Sequence, residues 1–414
     1  MTTAHALRRR GRARLAVTSV VVALAAVGLA GFVISTLVSG PRTGAPAPTH
    51  KHKPRVTALV KQPSLAARGQ TAAASSYLGP ATKAYDRARA WWDPHRGWYR
   101  QFLPGSGHGG MATMWGIVHL FGATNALAIA DPSRQNVAAA RAFANGAEQY
   151  WNPLLRPVPA YGPTPDKKGA DRRTWYDDEA WWGVAFFDAF RATGDQRYLT
   201  SAARSLRFVN SGWDPIHGGI YWDNRRTFKS SESLAGGTLT AAMLYQQTHN
   251  PMYLGLATKY IGWANRTLRG SDGLYGGRES PANPMPYVEG PMAEAMMRLC
   301  QATGDQAYCR SGEQLMAAAA NRFRTLTMGP QYDALYIRSV LEVYRIDHNP
   351  RWYRIATDTA TRALAHAAAP SGLYLRTWDG KSITSIGAPA DKLQTHAATT
   401  SVLAWLAAAK PPAH

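Results

Sequence analysis

The chain of 414 residues is short of cysteine and short of acid. It has two cysteines, Cys300 and Cys309. So few exclude a disulfide framework as the basis of the fold, and no matching Cys or His pair accompanies them to make a metal site. They flank the turn Thr303-Gly304-Asp305 between two predicted helices. They are either a local disulfide, as an exported protein allows, or two small buried residues. Against 26 Asp and Glu stand 47 Lys and Arg, a formal charge of +21. Such an excess first suggests nucleic acid, but its distribution argues otherwise. Residues 1–75 hold 11 Lys and Arg and no acid at all. The rest is spread thinly with no long basic run, so no nucleic-acid partner is expected. A basic body still suits an anionic lipid surface or an anionic envelope polymer.

What is present at the N-terminus is a targeting pattern. Arg8, Arg9, Arg10, Arg12 and Arg14 precede an uncharged run from Leu15 to Gly40. Its apolar part, Leu15–Val38, is long enough to span a bilayer. The arginines predict a cytoplasmic N-terminus and an exported body. A cleaved signal peptide is the rival reading, although its apolar region is normally shorter. The chain therefore reads as a basic cytoplasmic stretch at 1–14, a transmembrane anchor or signal peptide at 15–40, a disordered Pro/Ala/basic linker at 41–75 and a folded domain at 76–414. The expected location is the cell membrane, single-pass with the body outside the cytoplasm, or else secretion.

In the body one turn recurs: Asp131-Pro132-Ser133, Thr193-Gly194-Asp195, Asn250-Pro251-Met252, Thr303-Gly304-Asp305 and Asn349-Pro350-Arg351. The copies lie about 45 to 60 residues apart, and an Ala-rich helical pattern follows each, which marks an internal repeat of helix pairs. First helices are predicted at 81–92, 134–150, 197–209, 252–267, 306–323 and 352–367. Second helices are predicted at 111–129, 178–192, 233–248, 289–302, 331–346 and 395–408. The second set is more apolar all round, as inner helices are. Six such hairpins predict an all-α (α/α)6 toroid, with an open superhelix as the alternative. The long loops fall on one face, above the N-termini of the inner helices, and long ordered loops are usually functional. They are rich in Gly and aromatics, as in Gly218-Gly219-Ile220-Tyr221-Trp222.

Into that face opens Thr174-Trp175-Tyr176-Asp177-Asp178-Glu179-Ala180-Trp181-Trp182. Aspartates at a helix start are often only caps, and Thr174 with Asp177 has a capping-box look. Paired carboxylates among sugar-sized aromatic surfaces are also what a glycosidase needs. Glu179, about 100° further round the helix, is expected to face away.

Asp177-Asp178-Glu179-Ala180-Trp181 resembles the Asp-Asp-x-x-Trp signature of glycoside hydrolase family 76, the endo-α-1,6-mannanases. The likeness continues through Gly218–Trp222, Lys229 and Ala241–Tyr245. Tyr287-Val288-Glu289-Gly290 is similar to that family's Tyr-x-Gln-Gly, with Glu in the Gln position. Tyr336-Ile337-Arg338 and Gln394-Thr395 fit its last inner helices. The resemblance implies an (α/α)6 barrel and a retaining cut inside an α-1,6-mannan or a cell-envelope mannose polymer. It implies Asp177 as nucleophile and Asp178 as general acid/base, with no metal or cofactor. Neighbouring carboxylates repel, so one pKa is expected to rise while the helix dipole keeps Asp177 low. Tyr176, Trp222, Tyr287, Glu289 and Arg338 are the expected substrate contacts, and Glu289 is expected to add negative charge near the site. Transfer between glycans, as related eukaryotic members perform on wall anchors, remains open. So does a non-catalytic glycan binder, or a sugar epimerase working with His108, His119 or His217.

Overall fold

The computed structural model describes residues 76–166, 168–381 and 391–412. The expected membrane segment, the linker and part of the loop before the last helix lie outside the described residues. Among those described, no helix is long and apolar enough to cross a membrane.

The described residues form twelve α-helices in order. They are α1 (Leu78–Arg87), α2 (Met114–Ala130), α3 (Arg134–Ala147), α4 (Tyr176–Thr193), α5 (Arg197–Ser211), α6 (Ser231–Thr248), α7 (Pro251–Thr267), α8 (Pro286–Thr303), α9 (Gln306–Arg322), α10 (Pro330–Asp347), α11 (Pro350–His366) and α12 (Leu393–Ala409). The even-numbered helices form a closed ring, each packed on the next and α12 on α2. The odd-numbered helices lie outside them, mostly in the grooves between two inner neighbours. The open-superhelix alternative is thereby excluded.

The burial patterns explain the two layers. In α12 every residue is buried. In α11 only Trp352, Tyr353, Ala356, Thr359, Ala360 and Ala363 are buried, a single stripe at helical spacing. Small residues bring the inner helices close. A Cβ on Gly183 would stand 2.6 Å from Thr240, and one on Gly236 2.7 Å from Ala180. This close approach sets the start of α4 beside the start of α6.

The recurring turns work as caps. α4 and α8 end on Gly194 and Gly304 in the left-handed conformation. Asn250, Asp305 and Asn349 then cap the following helix, accepting from backbone N–H groups at 3.0, 2.8 and 3.0 Å. Cys300 and Cys309 are joined in a disulfide across the α8–α9 turn, which decides between the two readings of the pair.

Some boundaries differ from expectation. α2 starts at Met114 rather than 111, because the Thr113 hydroxyl accepts from Gly116 N–H at 3.1 Å and sets the start there. α1 and α3 end early and tighten into 3₁₀ turns at Ala88–Trp91 and Glu148–Tyr150. Each runs into a two-residue antiparallel ribbon that the helical pattern does not announce: β1 (Trp92–Asp93) with β2 (Trp98–Tyr99), and β3 (Trp151–Asn152) with β4 (Ala160–Tyr161).

Candidate active site

The entry to α4 is zipped to the loop before α6. Tyr176 N–H donates to Trp222 O at 2.9 Å, and Asn224 N–H donates to Thr174 O at 3.0 Å. The N-cap residue is Trp175, and no side chain caps the helix. Neither aspartate is therefore spent on capping, and the capping-box reading fails. Asp177 instead accepts from Trp181 Nε1 at 3.2 Å, one helical turn on.

Most inner helices are buried along nearly their whole length, yet each of four admits solvent at one first-turn residue. These are Trp115 on α2, Asp178 on α4, Glu232 on α6 and Tyr332 on α10. The buried Tyr287 of α8 joins them. Its ring lies 5.0 Å from Tyr332 and 6.2 Å from Trp115, and Trp115 lies 5.6 Å from Tyr332. The Tyr287 hydroxyl is directed at Glu232. Glu232 itself accepts from Ser230 Oγ at 2.7 Å and Ser231 Oγ at 3.2 Å, which fixes it at the mouth. The result is a cup of three carboxylates and three aromatic rings at the N-terminal end of the ring.

The electrostatics depart from expectation in one respect. Burial pushes Asp178 up to about 7. Asp177 does not stay low: burial raises it well above the carboxylate range, and the charges of Glu232 and Asp178 raise it further. The single bond from Trp181 and the helix dipole do not offset these. Burial, with Asp177 and Glu232 nearby, also holds the Tyr287 phenol well above its ordinary value. It is therefore a neutral hydrogen-bond donor throughout the working range. Glu179 is fully buried, and burial raises its carboxyl well above the ordinary value.

Of the expected contacts, the structure brings Tyr287 to the aspartates. Trp222 lies on the rim, stacked on Phe228 at 5.0 Å and edge-on to Trp175 at 6.0 Å. The Arg173 guanidinium covers both tryptophans at 5.3 and 5.4 Å. Three expectations are corrected. Tyr176 turns into the seam between α4 and α5, against Phe208 at 4.8 Å, because it lies round the helix from Asp177. Glu289 is fully buried and accepts Tyr275 N–H on both oxygens at 3.1 Å, so it ties down the α7–α8 loop. The extra negative charge beside Asp177 comes from Glu232 instead. Arg338 lies deep in the ring, donating to Asp188 at 2.8 Å and to Glu294 at 2.8 Å. Asp188 is eleven residues beyond Asp177, about 16 Å along the helix.

The three histidines do not gather. Burial holds His119 down to about 3, and so neutral. His217 is mostly exposed beside Asp214, and His108 sits in an exposed loop against Phe102 at 4.8 Å. Among the described residues these three form no imidazole acid–base pair at the cup.

Comparison with known proteins supports the same region. The family model described as glycosyl hydrolase family 76 matches residues 165–336, from just before α4 into α10. The family resemblance of the aspartate motif is thus met over that segment. Among curated proteins none matches. Solved structures with the same fold include a GH76 α-mannanase from Bacteroides thetaiotaomicron, 21% identical, with TM-score 0.68 over 80% of this chain and 94% of that one. Another is the α-1,6-mannanase GH76A of Salegentibacter sp. HEL1_6, 16% identical, with TM-score 0.65 over 81% of this chain and all of that one. An inactive variant of that enzyme, with two consecutive aspartates replaced by asparagine, was solved in complex with α-1,6-mannotriose. A third is Dfg5 from Chaetomium thermophilum in complex with glucosamine, 15% identical, with TM-score 0.63 over 81% of this chain and 92% of that one.

Proposed function

From the glycosyl hydrolase family 76 match over residues 165–336, we propose that this glycoside hydrolase cuts internal α-1,6-mannosidic bonds of a mannose polymer with retention of configuration. The observation that carries the reading is the pair Asp177 and Asp178, free of capping duty at the mouth of the ring and faced by Tyr287 and Glu232. The Salegentibacter variant that holds mannotriose after losing two consecutive aspartates supports it.

The chemistry needs one proton held between the two aspartates. Asp178, with a pKa of about 7, carries the proton that the departing glycosidic oxygen needs. Two neighbouring carboxylates resist ionising together, so the pair holds one proton; with that proton on Asp178, the carboxylate of Asp177 attacks the anomeric carbon as the C–O bond breaks, giving a glycosyl-enzyme ester. Asp178, now a carboxylate, takes the proton of an incoming hydroxyl, whose oxygen displaces Asp177. Positive charge develops on the sugar in each transition state. It faces Asp177 and Glu232, which stabilise it best in the half-enclosed cup. Trp115, Tyr287 and Tyr332 supply ring faces and edges for the sugars. In this reading the segment Leu15–Val38 holds the enzyme outside the cytoplasm, against an envelope glycan.

The test is digestion of linear α-1,6-mannan in 18O-labelled water, with NMR of the first-formed anomer. Short manno-oligosaccharides that are labelled at the reducing end and α at first release are expected. Products that are β at first release would exclude the retaining pair. Rearranged chains without label would show a sugar hydroxyl as the acceptor.

Glu232 gives a second check. Its charge raises Asp177, so Glu232→Gln lowers the pKa of the nucleophile. The acidic limb of the kcat/KM profile should then move to lower pH. The basic limb, where the pair loses its one proton, should move less. An unmoved acidic limb would remove Glu232 from the account.

A further inference from the structure

A basic pocket of about 440 Å3 lies on the outer side of the α4 entry, and no step of the reaction proposed above uses it. It is lined by Arg156, Arg225 and Arg226 against a single acid, Asp171, with Tyr176 and Asn224 in its wall. Tyr176 is the residue before Asp177, so this pocket and the cup share one turn of helix.

The surrounding charges make the pocket unusual. Neighbouring cations are neutralised: Arg173 by Asp223 at 2.7 Å, and Lys229 by Asp214 at 3.1 Å and Glu279 at 2.9 Å. Among the described residues Arg156, Arg225 and Arg226 form no ion pair. The frame that holds them is built rather than loose. The Asn224 amide donates to Arg156 O at 3.3 Å and Arg172 O at 2.9 Å, while its Oδ1 accepts Thr174 N–H at 3.0 Å, so it joins three segments. The Arg156 guanidinium is held by Leu154 O at 3.0 Å and Leu155 O at 3.2 Å. Arg226 has φ +57°, a left-handed conformation unfavourable for any residue with a Cβ, and its guanidinium lies 5.5 Å over the Tyr221 ring. A strained backbone that holds an unpaired cation at a pocket wall points to function rather than to stability.

We propose that this pocket takes an anionic substituent, a phosphate or phosphodiester, borne by the mannose polymer that the adjacent cup cleaves. The proposal rests on the mannanase reading above. Guanidinium groups bind phosphate through paired N–H donors, and the volume admits a sugar phosphate rather than a bare ion. The enzyme would thus prefer charged stretches of the glycan over neutral ones.

The test uses the full chain, with linear α-1,6-mannan and the same mannan phosphorylated. At low ionic strength the phosphorylated polymer should be cut with roughly tenfold higher kcat/KM, the effect of one good charge-assisted contact. The advantage should shrink at about 0.3 M salt. Arg225→Glu should abolish it and leave the neutral polymer unaffected, while Arg225→Lys retains part. Equal use of both polymers by the wild type would overturn the proposal, as would an Arg225→Glu loss that is the same on both. Titration with mannose 6-phosphate and with mannose separates this from the mannanase reading. If neither polymer is cut, yet mannose 6-phosphate alone binds and Arg225→Glu loses it, the pocket stands and the mannanase reading falls. Inorganic phosphate that binds as tightly as mannose 6-phosphate overturns the glycan-borne reading in favour of a free-phosphate site. Arg225-dependent binding to phosphatidylglycerol vesicles, without preference between the polymers, overturns it in favour of a lipid surface.

Discussion

Replacing Asp177 by Asn should lower kcat on α-1,6-mannan by about ten-thousand-fold, because the proposed mechanism then has no nucleophile to form the glycosyl-enzyme. Asp178→Asn should cost about a hundred- to ten-thousand-fold, the range for loss of a general acid. The two are separable by leaving group. An aryl mannoside departs without a proton, so Asp178→Asn should form its glycosyl-enzyme readily and stall at hydrolysis, giving a burst. Asp177→Asn should show none. Full mannan turnover in either variant would sink the assignment.

The same variants make a stability prediction of the opposite sign. Asp178 has a folded pKa of about 7, against 3.8 for the free side chain. Between these values the folded protein keeps a proton that the unfolded chain has released. Stability contributed by this group is therefore present below about pH 4 and lost as pH rises through 7. Asn cannot ionise and loses nothing. After discounting for solvent contact at the mouth, Asp178→Asn should be more stable than wild type by about 1 to 3 kcal/mol at pH 8 and equal to it at pH 4. Urea melts at the two pH values measure this. A gain in stability on removing this carboxyl would mean that the cup is built at a cost to the fold.

How far the sequence led depends on whether its signals were local. All twelve helices were legible, since each carries its own period and most are bounded by Gly, Pro, Asn or Asp. The ribbons β1–β2 and β3–β4 were not, because two residues carry no period. Asp177 and Asp178 were legible as a motif. Glu232, Trp115 and Tyr332 were missed, because none has a local signature and only ring closure brings them together. A register did exist in the sequence. Trp115, Asp177, Glu232 and Tyr287 are each the second residue of an inner helix, and Asp178 and Tyr332 the third. Aligning the inner helices by their first turns would have gathered the cup. Glu289, at position four, and Arg338, at position nine, fall below that plane, where residues serve packing.

Arg338 should therefore behave as a structural residue, and the expected effect is large. It donates to Asp188 on α4 and Glu294 on α8, and it lies 5.0 Å from the Trp405 ring of α12. Arg298 continues the chain to Glu294 at 2.9 Å, Glu342 at 2.6 Å and Gln246 of α6 at 2.8 Å. Arg191 joins Asp188 at 3.1 Å and Glu342 at 3.0 Å. The network thus ties five of the six inner helices at one depth. Burial pushes Glu342 up, but Arg191, Arg345, Arg298 and Arg338 outweigh it and hold the carboxyl well below its usual range. The ions are mutually dependent: replacing all of them by apolar groups could be neutral, whereas removing one strands the others. Arg338→Met leaves Asp188 and Glu294 short of a partner in a dry interior, a loss of about 3 to 5 kcal/mol. The melting temperature should fall by on the order of 5 to 10 °C. Below that temperature, KM and kcat on mannan should match wild type, since the cup lies about 16 Å away along α4. A sugar contact predicts the reverse, a raised KM with an unchanged melting temperature, so one thermal melt and one kinetic series on the same variant decide what Arg338 is for.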